Sequence, residues 1–413
     1  MISDSLAPLF RALATNLMKP VFLSSPATKL SACIIRALAI GCFVFGQPTT
    51  TAAEQTKNTF HGGIQSKNAT EVPRKLKDAK SLPSGKARPP QDPELEEYGI
   101  YFDQAPTAMI THPVPTELPL QLNAGDRIAF IGNTLLDRAQ LFCHFEANLQ
   151  LAHPGKKLVI RNLAWSADEV DLQPRPANFA TVEQHLTREN VDVIFAAFGY
   201  NESFDGLEAV ESFKARLARF LLDLKSKAYN GTDAPQIVLI SPIANENTAK
   251  VPAADLNNER LAAYTAAMAE VAERLQVGFA NVFASTQVAM ADETSDLTIN
   301  GAHLTEIGYK VFADALFHAM FDSPVPTPNE ELRATIIDKN TQYFRRYRPL
   351  NTYYYTGARN KSYGYLDFLP AMRNLEIMTA NRDERIWAIA QGQTFAAQPI
   401  DDSNVPELDE IEE

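Results

Sequence analysis

Three cysteines in 413 residues are too few for a disulfide framework, and no Cys-x-x-Cys metal or haem motif occurs. Cys33 and Cys42 fall in an N-terminal stretch with the marks of a leader, which leaves Cys143, within "LLDRAQLFCHFEANLQ", as a lone thiol that reads as a small apolar packing residue. The chain lacks a Walker phosphate loop, a Gly-x-Gly-x-x-Gly turn and clustered His and Cys ligands. Those absences disfavour kinases, dinucleotide enzymes and zinc enzymes, so neither a cofactor nor a metal is expected. No internal repeat is present, and the main apolar run of the leader, Ala37 to Phe45, is about half the ~20 residues a spanning helix needs. Positive charge is also scarce. The net charge is −12, and the first 92 residues carry +7, leaving about −19 on the rest and arguing against nucleic-acid partners.

What the chain does have is apolar content, 45%, enough to pack one large domain or two ordinary ones. Basic Lys19, Lys29 and Arg36 precede the apolar run, and small residues follow it to Ala53. That order reads as a signal peptide over 1–53, with Met18 as an alternative start, and implies an exported protein, periplasmic or extracellular, without stable membrane insertion once the leader is removed. "LSAC" and "AIGC" are incomplete as lipoprotein cleavage boxes: the first follows Lys29 with no apolar run, and the second lacks the leading Leu. Residues 54–92 turn to Lys, Ser, Pro and Gly and read as a disordered linker; residues 394–413 read as a solvated acidic tail.

Between them, short β-branched runs (Arg127–Gly132, Leu158–Leu163, Val191–Phe198, Gln236–Ser241, Gly278–Val282) alternate with segments of helical period, most clearly "ESFKARLARFLLDLKSK" and "NNERLAAYTAAMAEVAERLQ". Strand and helix in repeated alternation predict a parallel sheet covered on both faces, with the site at the carboxyl ends of its strands.

Four blocks stand at those ends: "GNTL" (132–135), "NLAWSAD" (162–168), "FGYNES" (198–203) and "INGAHLTEIGY" (299–309). In this order they resemble the signature blocks of the SGNH hydrolases, the GDSL-type lipases and esterases, over about residues 125–320, within a domain expected to span 93–322. The resemblance implies a three-layer α/β/α sandwich with a five-stranded parallel sheet (SGNH/flavodoxin-like) and hydrolysis of acyl esters, thioesters or acetylated sugars, with a small-molecule or carbohydrate ester as substrate. It puts Thr134 where the family has its nucleophilic serine. The oxyanion-hole residues become Ala167, in place of a glycine, and Asn201. His303 becomes the base and Asn300 stands where an aspartate is expected, while Asn133, Gly199 and Tyr200 would face the substrate.

Such chemistry needs an oxygen nucleophile, a base within reach and donors aimed at the developing oxyanion. Threonine keeps the hydroxyl but adds a methyl that restricts χ1, and Asn300 can orient His303 but cannot stabilise an imidazolium by charge. Ala167 keeps its N–H provided its φ is negative. Each residue also has a structural alternative. Thr134 could cap a helix starting at Leu135, Asn201 could form an Asx-turn, and His303 precedes a helix that Thr305 can cap. Ser166 is a substitute nucleophile to weigh against a structural hydroxyl, and Asp168 or Asp296 could replace the missing carboxylate. The rival function is a binding or scaffold protein, a pseudoenzyme that keeps this fold without efficient chemistry.

Residues 323–393 read as an Arg- and Tyr-rich helical accessory segment, with helices over Glu330–Arg346 and about Pro370–Gln391, the latter carrying Leu375, Met378, Ile386 and Ile389 as an apolar stripe. It either packs on the core with solvated arginines or uses Arg345, Arg346, Arg348 and its tyrosines to shape a surface for a carbohydrate or an anion. The leader yields the first test. N-terminal sequencing of the protein from its native cell should find a chain starting close to Glu54; an intact Met1 or Met18 on cytoplasmic material overturns export.

Overall fold

The computed structural model describes residues 98–176, 178–292, 296–348, 365–396 and 398–408; the expected leader and linker lie outside them, as do Tyr353, Tyr354 and Tyr355 of the accessory segment. Five apolar runs form β1 (Arg127–Gly132), β2 (Val159–Asn162), β3 (Val193–Ala197), β4 (Gln236–Ile240) and β5 (Gly278–Ala280). All pairings are parallel, in the order β2-β1-β3-β4-β5. Successive side chains point to opposite faces. Ala129, Ile131, Ile194, Ala196, Ile237 and Leu239 therefore enter one apolar core, and Ile128, Phe130, Val193, Phe195, Val238 and Ile240 the other.

Nine helices among the described residues complete the layers: α1 (Thr134–Ala139), α2 (His144–Ala152), α3 (Val182–Arg188), α4 (Val210–Lys225), α5 (Ala253–Leu275), α6 (Phe283–Met290), α7 (Glu306–Met320), α8 (Glu330–Tyr347) and α9 (Tyr365–Ala390). Phe213, Leu217 and Leu221 of α4 with Tyr264, Met268 and Val271 of α5 cover the first face. Phe145 and Leu149 of α2 with Phe312, Leu316 and Phe317 of α7 cover the second. The result is the expected three-layer sandwich with a helical C-terminal region. Strand order turns back at β1, so a crevice opens beyond the carboxyl ends of β1 and β3, where sites form in open α/β sheets.

The C-terminal helices do more than the apolar pattern suggests. β2 is an edge strand, paired on one side only, and its outward carbonyls need donors. Trp387 of α9 donates Nε1–H to the Leu158 carbonyl at 2.9 Å, and Lys339 of α8 donates from Nζ to the Ile160 carbonyl at 2.9 Å. Arg161, on β2 itself, forms a fork with Asp383 at 2.6 and 3.3 Å. The buried face of α9 accordingly includes Leu369, Met372, Thr379, Arg382, Asp383, Ile386 and Ile389, while Leu375 and Met378 of the expected stripe are only half-buried. Polar groups displace apolar ones because the edge strand requires partners.

Two further details differ from expectation. α9 begins five residues before Pro370, which therefore lies inside the helix. The acidic end is exposed yet anchored over its described part: Asp402 accepts from Arg382 at 3.0 and 3.1 Å, and the Pro406 carbonyl accepts from Asn374 at 2.7 Å. The second follows from polar side chains of α9, Arg382 and Asn374, which bond the chain end.

Lys339 is fully buried and pairs with Glu146, itself 4% exposed, which also accepts from Asn340 at 2.9 Å. Lys339→Met should cost about 3–5 kcal/mol in urea unfolding, since it leaves Glu146 charged and unpaired, and Glu146→Leu with Lys339→Met should recover a large part of that loss. A single variant as stable as wild type would show that the ion pair does not hold the hairpin to the core.

Candidate active site

β1 ends in Gly132, whose φ of +119° and close approach to β3 exclude a side chain: a Cβ there would collide with the Ala197 carbonyl. The chain then turns into α1. Asn133, not Thr134, is the N-cap; its Oδ1 accepts the Leu135 N–H at 3.1 Å. Thr134 is the first helical residue and its hydroxyl is not spent on the helix. Instead Oγ1 accepts the N–H of Ala167 at 3.1 Å. The cap role weighed as the alternative for Thr134 thus falls to Asn133, which lines the pocket with its side-chain oxygen already engaged.

Ala167 departs from its expectation as well. Its φ is +65°, in the left-handed region, so the alanine that replaces the family glycine carries a strain of roughly 1–2 kcal/mol. Its N–H nevertheless points at Thr134. The flanking residues hold the loop: Trp165 N–H donates to the Gly132 carbonyl at 2.9 Å, Ser166 Oγ donates to Asp137 Oδ2, and Asp168 forms a fork with Arg175 at 2.8 and 2.6 Å. Ser166 is thus committed to a carboxylate and does not line the pocket. Asp168 is committed to Arg175, and among the described residues Asp296 offers its backbone carbonyl to Thr305. None of the three takes the role weighed for it as nucleophile or His303 partner.

The partner of His303 is Asn300, at 3.1 Å between Nδ1 and Oδ1. The same Oδ1 accepts the N–H groups of Ala302 (3.2 Å) and His303 (2.9 Å), which fixes the amide orientation. An acceptor facing Nδ1 assigns the ring proton to Nδ1 and leaves Nε2 as the basic nitrogen. Burial, then the nearby Arg138 charge, hold the His303 pKa below the ordinary histidine value, favouring the neutral ring. Thr305 caps α7 as expected, accepting the Gly308 N–H at 3.2 Å.

Thr134, Ala167, Tyr200, Asn201 and His303 line one cavity of about 370 Å³, walled by Leu135, Phe198, Phe204, Pro242, Ile243, Leu304 and Tyr309. No hydrogen bond joins Thr134 to His303, and the Asn201 amide bonds to no described residue, so it is not spent on an Asx-turn. Tyr200 donates to Asn245 Oδ1 at 3.1 Å. Gly199, at φ +88°, has no room for a Cβ beside Met268 Sδ; it serves the backbone turn rather than the cavity wall. Such a cavity can hold an acyl group against apolar walls with a hydroxyl, an imidazole and amide donors at one end. Among the described residues no three His, Cys, Asp or Glu side chains converge as metal ligands.

Two glutamates that sequence reasoning passed over hold the loops. Glu202, fully buried, accepts from Gly199 N–H at 2.8 Å and Val170 N–H at 3.1 Å, tying the loop after β3 to the loop after β2. Glu246 accepts from Leu297 N–H (3.0 Å), Thr298 N–H (2.7 Å) and Thr298 Oγ (2.5 Å), fixing the segment that leads to His303. The only sequence signal was adjacency, since Glu202 directly follows Asn201 in "GYNES".

Residues 125–311 match the model of the GDSL-like lipase/acylhydrolase family. No curated protein matches the chain. Among solved structures, Axe2, an acetylxylan esterase from Geobacillus stearothermophilus, is 16% identical, with 51% of this chain and 100% of that chain covered and a TM-score of 0.39. A structure from Parabacteroides merdae assigned as a GDSL-like lipase is 16% identical, covering 48% of this chain and 97% of that one, with a TM-score of 0.38.

Burial pushes the Glu202 carboxyl up to about 7 against the two N–H donors. A raised folded value gives stability that is complete below the ordinary glutamate value, near 4.5, and is lost as pH rises through about 7. Relative to Glu202→Gln, wild type should therefore lose on the order of 3 kcal/mol of unfolding free energy between pH 4.5 and 8. A pH-independent difference in urea unfolding would contradict the buried titration.

Proposed function

Residues 125–311 belong to the GDSL-like lipase/acylhydrolase family, and from that premise we propose that the chain is an ester hydrolase, acting on acylated small molecules or carbohydrates, with Thr134 as nucleophile and His303 as base. The observation that carries the reading is the bond from Ala167 N–H to Thr134 Oγ1, 3.1 Å, which puts an oxyanion donor beside a hydroxyl the helix does not use.

Thr134 Oγ1 attacks the acyl carbon while His303 Nε2 takes its proton. The tetrahedral oxygen receives the N–H groups of Thr134 and Ala167 and the Asn201 amide. Collapse expels the alkoxide, which takes the proton from His303, and leaves an acyl-threonine. Water, deprotonated by His303, then releases the carboxylic acid and restores Thr134. During both transfers the ring is an imidazolium facing a neutral Asn300 and the positive Arg138, so the chemistry is slower than with a carboxylate in place of Asn300. One observation favours the rival binding protein: the missing hydrogen bond between Thr134 and His303. A hydroxyl that turns to His303 only when an ester fills the cavity reconciles the two.

Initial rates on aryl esters and acetylated sugars test this. Thr134→Ser should raise turnover by relieving the methyl, and adding Asn300→Asp should raise it more than the product of the single effects. Thr134→Ala and His303→Ala should abolish it in every background. Because neutral His303 is the active form, kcat/KM should fall only as pH drops through a value below the ordinary 6.5, and Asn300→Asp should move that limb upward. Wild type and the folded double variant both inert would replace the hydrolase with the binding protein; activity that survives Thr134→Ala would remove Thr134 as nucleophile.

A further inference from the structure

We propose that Arg348, at the end of α8 and outside the 125–311 family match, is a positioning residue that holds the Ala167 loop in its oxyanion geometry, so that the C-terminal hairpin completes the site; this rests on the hydrolase reading above. The loop from Leu163 to Asp168 is pinned at nearly every residue. Tyr347 OH donates to the Leu163 carbonyl at 3.0 Å. The Arg348 guanidinium lies 3.9 Å from the Trp165 ring centre, and Arg175 lies 4.4 Å from it. Arg348 Nη1 also donates to Asp137 Oδ1 at 2.8 Å, and the other oxygen of Asp137 accepts from Ser166.

One guanidinium therefore grips two successive residues, Trp165 by its ring face and Ser166 through Asp137, and both immediately precede Ala167. Asp137 lies one helical turn after Thr134, so the same contact ties the loop to α1. The need for the grip is the left-handed backbone at Ala167: a strained residue persists only where its surroundings over-determine it. Without Arg348 the loop keeps Arg175 on Asp168 and over Trp165, and the Trp165 N–H on Gly132, but loses the second guanidinium on the Trp165 ring and the donor that fixes the Asp137 carboxylate bound to Ser166. Ala167 then relaxes and its N–H swings away from Thr134. A planar fork satisfies the stacking and the carboxylate together, which an ammonium cannot. The surface role weighed for these arginines is corrected by the same contacts: Arg346 is buried on Glu376 and the Tyr98 carbonyl, Tyr343 and Tyr347 are core residues, and only Arg345 is exposed.

The test uses the full chain with Arg348→Met, Arg348→Lys and Asp137→Asn. Hydrogen exchange of peptides covering residues 163–170 should rise by about ten-fold or more in Arg348→Met and less in Arg348→Lys. With an aryl ester, kcat should fall by at least about ten-fold with KM within two-fold, since a small displacement of an oxyanion donor acts on the transition state. Arg348→Met and Asp137→Asn should be strongly non-additive in kcat. Unchanged exchange in 163–170 overturns the proposal, as does raised exchange with unchanged kcat. If wild type and Thr134→Ser are both inert on every ester, the hydrolase reading fails, and exchange alone then decides whether Arg348 holds the loop. If Arg348→Met does not fold, Arg348→Lys and Asp137→Asn carry the same two readouts.

Discussion

The edge of the sheet at β2 is the constraint on which the rest depends. A parallel sheet ends in a strand whose outward carbonyls have no neighbour, and here that strand leads directly into the loop carrying Ala167. Lys339 and Trp387 satisfy the Ile160 and Leu158 carbonyls, which brings α8 and α9 against the core at that edge. Once α8 lies there, its last residues meet the loop that follows β2. Covering an edge and shaping a site are therefore consequences of one docking.

Burial of charge is the second recurring device. Lys339 with Glu146, Arg161 with Asp383, and Arg346 with Glu376 and Tyr98 fix the hairpin by direction rather than by apolar area. Glu202 and Glu246 do the same for the loops by accepting backbone N–H groups, where an apolar side chain would leave those donors unpaired. At Glu202 and at His303 burial favours the uncharged form, and at His303 this keeps the base neutral.

Much of this was legible in the sequence for a physical reason. Strands buried on both faces are continuous apolar runs, and β1 was bounded correctly at Arg127 and Gly132, while β2, β3, β4 and β5 each end one or two residues sooner than their runs. The four blocks after the strands converge because the topology brings carboxyl ends together. Side-chain partnerships were not legible. Nothing local distinguishes Asn133 from Thr134 as the cap, and the sign of φ at Ala167 depends on contacts with Gly132 and Thr134 across the sheet. Arg348 lies more than 200 residues from Asp137 in the chain, and composition cannot tell a solvated arginine from one stacked on Trp165.

The central claim is that the Thr134 hydroxyl, free of the helix and lining the same cavity as His303, is a nucleophile. Peptide mapping by mass spectrometry after treatment with an alkyl fluorophosphonate tests it most directly, because the reagent modifies only an activated hydroxyl. The account predicts a single phosphonyl adduct on Thr134, faster in Thr134→Ser and absent in His303→Ala. An adduct on Ser166, or none in wild type and Thr134→Ser alike, would contradict it.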